Sequence, residues 1–201
     1  IIFDYGGTID TDGIHWGEFI WEQYKETGVD ISHETYREAY VHGERFLAKN
    51  HVIEPTDTFH TLLRKKIAIH FDYLHNRFPE KHFSKEDAER IADGCYNKVK
   101  KTMETTCAVV KELSKQYPLV LVTNFYGNMP VVLKEFNLSE YFKTIVESSV
   151  VGLRKPDPAL FALGVEALGF EPHVIVVIGD SYRKDIYPSS TLGCRTVWLK
   201  N

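Results

Sequence analysis

Ile1-Ile2-Phe3-Asp4-Tyr5-Gly6-Gly7-Thr8-Ile9-Asp10 opens the chain, and the remaining residues take their meaning from it. Three apolar, strand-favouring residues run into an aspartate and two glycines, the pattern of a buried parallel strand whose carboxyl end presents Asp4 to solvent. Ligands of open α/β sheets sit at that end. The glycines let backbone N–H groups turn toward an anion. An aspartate beside such a cradle is a candidate nucleophile toward a phosphoryl group or a carbon bearing a leaving group. Taken alone, the stretch reads equally well as a strand ending in a turn.

From Asp12 to about Lys101 the pattern is helical throughout. Trp16, Phe19, Ile20 and Tyr24 recur at spacings of three and four, closing at Gly28, so Trp16 reads as core. Ser32 opens a second helix to about Lys49. Pro55-Thr56-Asp57 caps a third, with Phe59, Leu62, Leu63, Ile67, Phe71 and Leu74 on one stripe. Ser84 starts a fourth, on which Ala88, Ile91, Ala92, Cys95, Tyr96 and Val99 keep the period. Four amphipathic helices with no strand between them predict a small helical bundle inserted after the first strand.

The remainder alternates. A helix over 109–116 leads to a strand over Leu119–Thr123, a helix over 127–136, a short strand over 144–147 and a helix over 157–168. A strand over 174–178, a helix near 184–192 and a strand over 195–199 follow. This predicts an α/β fold: a doubly wound parallel sheet, Rossmann-like, formed by residues 1–12 and 103–201, with a smaller all-helical cap over 13–102.

With 201 residues, 43% of them hydrophobic and 26% charged, the chain has the composition of an ordinary globular protein with ample core. A net charge of −4 leaves no basic footprint for nucleic acid or anionic membrane, and no apolar run is long enough for a membrane span. Cys95, Cys107 and Cys194 are odd in number and widely spaced, which suits reduced thiols in a cytoplasmic protein. The sequence begins inside a strand and reads as lacking residues at both ends, so a missing leader says little. The oligomeric state is not readable.

Each later strand is followed by polar residues: Thr123-Asn124, then Gly152-Leu153-Arg154-Lys155-Pro156-Asp157, then Gly179-Asp180-Ser181-Tyr182-Arg183-Lys184-Asp185. With Asp4-Tyr5-Gly6-Gly7-Thr8 these resemble, in order, the four motifs of the haloacid dehalogenase superfamily, most of whose members are magnesium-dependent phosphatases. The helical insertion is similar to that family's cap in place and kind. The resemblance implies a small phosphorylated substrate, Asp4 as nucleophile forming an aspartyl-phosphate, and Thr123 and Asn124 holding phosphoryl oxygens. It implies Lys155 as the neutralising cation, and Mg2+ held by Asp4, the Gly6 carbonyl, Asp180 and Asp185. Tyr5, Gly6, Gly7 and His15 are assigned to the substrate side, and Asp10, Asp12, Trp16 and Arg45 are further candidates for the cap-facing wall.

One departure matters. Phosphatases of this family carry a second aspartate two residues after the nucleophile, as general acid and base, and here that position is Gly6. Four resolutions stay open. The leaving group needs little protonation, as in aryl or acyl phosphates. A cap residue such as His15 supplies the proton. The chemistry is that of a dehalogenase, which has tyrosine at this position and lacks the Gly-Asp metal site, or of a phosphonatase, with Lys49 as Schiff-base lysine. Finally, the chain is a non-catalytic binder of a phosphorylated ligand or a protein.

Overall fold

The computed structural model describes residues 1–200. The opening strand β1 is only Ile2–Phe3 long, yet it is central. It pairs in parallel with β2 (Leu119–Thr123) on one side and β4 (Val176–Gly179) on the other. β3 (Phe142–Glu147) flanks β2 and β5 (Arg195–Trp198) flanks β4, giving a five-stranded parallel sheet in the order β3-β2-β1-β4-β5. The chain order reverses between β1 and β4, and such a switch point opens a crevice beyond the carboxyl ends of the strands.

Side-chain alternation shows why both faces of this sheet are covered. Ile2, Val120, Val122 and Val177 face one apolar cluster with Leu160 and Phe161 of the helix Pro158–Leu168. Phe3, Leu119 and Leu121 face the larger cluster, which continues into the helical insertion. A strand buried on both faces has to be apolar at every position, and β2 is fully buried along its length.

The insertion consists of α1 (Trp16–Thr27), α2 (His33–Lys49), α3 (Phe59–Arg77) and the first part of α4 (Lys85–Ser114). Ser32, Thr58 and Ser84 each accept a backbone N–H in the first turn of the helix that follows, satisfying donors that the helix itself leaves unpaired. The cap of α3 is therefore Thr58 and not the Pro55-Thr56-Asp57 turn. Asp57 instead takes the N–H of Glu54 and the Lys65 ammonium.

Two further expectations are corrected. The fourth cap helix and the helix over 109–116 are one continuous 30-residue helix, so a division at 102/103 falls inside α4. The helix near 184–192 is split into a wide π-type turn at Tyr182–Ile186 and a short helix at Tyr187–Thr191. No helix among the described residues is long and apolar enough to cross a membrane.

Candidate active site

Asp4 leaves β1 with its backbone N–H still bonded to Ile178 O at 2.9 Å, so its position is tied to both central strands. Its carboxylate is buried and accepts from Thr8 Oγ1 at 3.1 Å and from Lys155 Nζ at 2.6 Å. Lys155 Nζ also donates to Asp185 Oδ1 at 2.7 Å, while the other Asp185 oxygen takes the Ser181 N–H at 3.0 Å. Asp180, at the end of β4, completes the group. One carboxylate oxygen from each of Asp4, Asp180 and Asp185 lies within 4.8 Å of the others.

Two glycines allow this convergence. A Cβ on Gly7, whose φ is +96°, would lie 2.4 Å from Asp180 Oδ2, and one on Gly179 would lie 2.4 Å from Asp185 Cβ. Contacts that short are excluded by hard-sphere sterics, so the acids close up only because both positions lack a side chain.

Asp4 and Asp185 share a single buried ammonium, and Asp180 stands beside them without a bond of its own to it. Burial raises Asp4 to about 6, with Asp185 adding to the shift and Lys155 opposing it. Burial raises Asp180 to about 7, reinforced by Asp4 and Asp185. For Lys155 burial favours the neutral amine, but Asp4 and Asp185 outweigh it and hold the ammonium above its ordinary range. An excess of negative charge on hard oxygen donors is the chemistry that a small divalent cation answers.

Thr123 and Asn124 arrive from the end of β2. Thr123 Oγ1 is buried without a hydrogen-bond partner and lines the cavity above Asp4. Asn124 does something other than expected. Its Oδ1 accepts the Lys155 N–H at 2.9 Å and its Nδ2 donates to Lys155 O at 3.1 Å, so the amide clamps the loop that carries Lys155.

The cavity, about 100 Å³ in volume, has Asp4, Gly6, Thr123, Lys155, Asp180 and Asp185 at its base. That is room for several waters, each of which needs about 10–15 Å³ of such space. The insertion supplies the opposite wall through His15, Trp16, Tyr40, Glu44 and Lys66. His15 lines the cavity as well as capping α1, accepting the Gly17 N–H on Nδ1. Burial and Lys184 lower its proton affinity. Trp16 is core and cavity wall at once, packing on Phe19 and Phe59.

Other candidates lie elsewhere. Tyr5 is fully buried, its ring edge-on to Phe59 and Phe125, because it follows Asp4 and so points to the sheet face under the helices. Gly7 spends its N–H on Asp10 Oδ1 at 2.7 Å. Asp10 is wholly buried, receives Trp16 Nε1 on its other oxygen at 2.9 Å, and is raised to about 7 by burial. These hydrogen bonds make it a brace for the loop. Asp12 is exposed, Arg45 lies on a separate surface groove of α2, and the exposed Lys49 is outside the cavity.

Lys66 and Glu44 were missed. Lys66 sits within the charged run Arg64-Lys65-Lys66 and reads as solvated. The signal was its register: it falls on the same face of α3 as Leu62, Leu63, Ile67 and His70, all buried. A charge on a buried stripe has a partner, and here it is Glu44 Oε1 at 2.7 Å.

A sequence model of the haloacid dehalogenase-like hydrolases matches residues 1–187, and the chain belongs to that family. Over 63 residues it is 32% identical to a glyceraldehyde 3-phosphate phosphatase of Pyrococcus furiosus, covering 31% of this chain and 26% of that protein. Over 62 residues it is 36% identical to a phosphoserine phosphatase of Thermus thermophilus, covering 31% and 25%. The chain thus spans about a quarter of the length of these curated relatives. A solved haloacid dehalogenase-family phosphatase from Thermococcus onnurineus shares the fold, with a TM-score of 0.53 at 22% identity over 99% of this chain and 85% of that one.

Proposed function

We propose that this chain is a magnesium-dependent phosphohydrolase that acts on a small phosphorylated compound through an aspartyl-phosphate formed at Asp4. The observation that carries the reading is the buried, unpartnered Thr123 hydroxyl in the cavity that Asp4 and Lys155 also line. A buried polar group without a partner calls for one, and a phosphoryl oxygen above Asp4 supplies it.

Asp4 Oδ attacks phosphorus as the bond to the leaving oxygen breaks. Lys155, already bonded to Asp4, offsets the repulsion between carboxylate and phosphate, which at contact distance amounts to several kcal/mol in a protein site. Thr123 Oγ1 donates to a phosphoryl oxygen, and Asn124 keeps Lys155 in place by holding its backbone. Asp4, Asp180, Asp185 and the Gly6 carbonyl are the groups that would hold Mg2+, which when bound neutralises the carboxylates and the phosphoryl group. Water then attacks phosphorus, returning Asp4 and releasing phosphate. The insertion closes over the site and excludes bulk water.

The test is phosphate release from para-nitrophenyl phosphate and acetyl phosphate, with and without magnesium, using Asp4→Asn as the blank. Magnesium-dependent turnover abolished by Asp4→Asn is expected. Absence of turnover on both compounds in a folded, magnesium-loaded protein would overturn the reading.

A further inference from the structure

Position 6 carries no carboxyl group, and the cavity wall opposite Asp4 carries a buried lysine instead. Lys66 projects from the buried stripe of α3 with a side chain only 7% exposed. Its Nζ meets Glu44 Oε1 at 2.7 Å, and Tyr126 Oη donates to the second Glu44 oxygen at 3.2 Å. Beyond Glu44, the ammonium has the Tyr126 hydroxyl and the ring faces of Tyr126 and Trp16, at 5.3 and 5.8 Å from their centroids. An ammonium has three N–H donors; Glu44 and the Tyr126 hydroxyl account for two, and aromatic faces answer the charge without accepting a directed hydrogen bond. The same cavity is lined by Asp4.

We propose that Lys66 is the leaving-group residue of this site, donating a hydrogen bond to the bridging oxygen as it departs, and that the substrate class is phosphate monoesters of aromatic alcohols. The proposal rests on the phosphohydrolase reading above.

Three observations converge on that class. First, burial opposes the charge on Lys66, but Glu44 outweighs it and holds the ammonium well above its ordinary range. Such a group is a persistent hydrogen-bond donor that keeps its proton. A phenoxide, with a conjugate acid near pKa 10 as for tyrosine, departs with a hydrogen bond alone, whereas a far more basic alkoxide needs a proton delivered. Secondly, the half-buried Trp16 lines the same cavity, with Phe59, Leu62 and Leu63 completing its apolar lining from buried positions, so the indole is the wall on which a flat ring packs edge or face. Thirdly, the bare Cα of Gly6 leaves the Trp16 indole edge as the next wall, since a Cβ there would meet it at 3.7 Å.

The step balances without a further reactant. The Asp4 Oδ–P bond forms while the P–O(aryl) bond breaks. The aryl oxygen keeps the electron pair, hydrogen-bonded to Lys66, and takes its proton from solvent on release. Water's oxygen then attacks phosphorus, the Asp4 carboxylate leaves, and the water proton passes to phosphate and solvent.

The experiment compares kcat/KM across ring-substituted phenyl phosphates, from 4-nitrophenyl to unsubstituted phenyl, with acetyl phosphate and glycerol phosphate alongside, all with saturating magnesium. For Lys66→Met the expected result is a loss on the order of 10²-fold with phenyl phosphate and less than about tenfold with the 4-nitro compound. The dependence of rate on leaving-group pKa therefore steepens, and Lys66→Arg recovers most of the loss. Lys66→Met leaves Glu44 without its cation, so the paired change Lys66→Met with Glu44→Gln serves as the second variant if the single one fails to fold.

An equal loss across the whole series, acetyl phosphate included, would mean that Lys66 only supports packing, and would overturn its role. Faster turnover of glycerol phosphate than of phenyl phosphate by the wild type would overturn the substrate class. If the wild type turned over acetyl phosphate but the aryl slope were unchanged in Lys66→Met, the phosphohydrolase reading would stand and this proposal would fall. No turnover of any compound would take both.

Discussion

Gly6 stands where the motif that the opening stretch resembles has an aspartate, and its surroundings say how to test the difference. Its φ is outside the left-handed region, and an added Cβ meets only the Trp16 indole at ordinary van der Waals distance, 3.7 Å. A side chain can therefore start at this position, which lines the same cavity as Asp4. Gly6→Asp should raise turnover of alkyl phosphates such as glycerol phosphate by about 10²- to 10⁴-fold, the usual worth of a positioned acid–base group; an unchanged rate would show that the deficit lies elsewhere. Lys155 is the converse case. It is the ammonium shared by Asp4 and Asp185, and all three side chains are buried. Lys155→Met should abolish turnover. In the presence of a chelator it should also lower unfolding stability by about 3–5 kcal/mol, the cost of stripping one partner from a buried ion pair. Magnesium should narrow that gap, because it neutralises the same carboxylates; urea titrations with and without magnesium measure both effects.

Among the elements, the helix Pro158–Leu168 shows how closely the sheet is packed. A Cβ on Gly164 would lie 2.6 Å from Val122 and 3.1 Å from Ile2, so the helix rides directly on β1 and β2. Gly164→Ala gains about 0.5–1 kcal/mol of helix propensity and costs about 1–3 kcal/mol of overpacking. Net destabilisation is expected, seen as a lower urea midpoint with an unchanged slope; a rise in midpoint would contradict it. Packing of this kind also explains what was legible. β2 could be read to the residue because Leu119–Thr123 is buried throughout, and an apolar run bounded by Pro118 and Asn124 has one interpretation. The continuity of α4 could not. Thr105-Thr106-Cys107 carries no apolar stripe and suggests a break, whereas Met103 and Val110 are buried on either side and keep the helix in register. Asp4, Thr123, Asn124 and Asp180 were legible as candidates because they directly follow β1, β2 and β4 or end them, whereas Lys155 comes to them only through the helical turn Ser148–Val151 and the loop beyond it. Lys66 and Glu44 were not, because a lysine in a charged run and a glutamate on an amphipathic helix acquire meaning only when α2 and α3 are packed together.

For the molecule as a whole, acid pH acts through two opposed sets of buried groups. Asp4, Asp10 and Asp180 are raised to about 6, 7 and 7. The folded chain therefore binds protons there that the unfolded chain, with carboxyl groups near 4, does not, and lowering the pH through 7 toward 5 favours folding through them. His70 works the other way. It is wholly buried between α2 and α3, with Nδ1 at 3.4 Å from Tyr24 Oη and Nε2 unpartnered. Burial, helped by Lys66, lowers it to about 3. An unfolded histidine titrates near 6.5, so between those values the unfolded chain carries the extra proton, and stability is lost as the pH falls. At one proton per molecule the loss from pH 7 to pH 5 is about 2 kcal/mol. The wild type alone would show the sum of both sets, so the difference from His70→Gln isolates the histidine. Unfolding free energies of the two proteins, measured by urea at both pH values with chelator present, should converge by about that amount on acidification, with the wild type losing more. A difference that stays constant across this range would mean that folding leaves the proton affinity of His70 unchanged, and would contradict the lowering that burial and Lys66 impose.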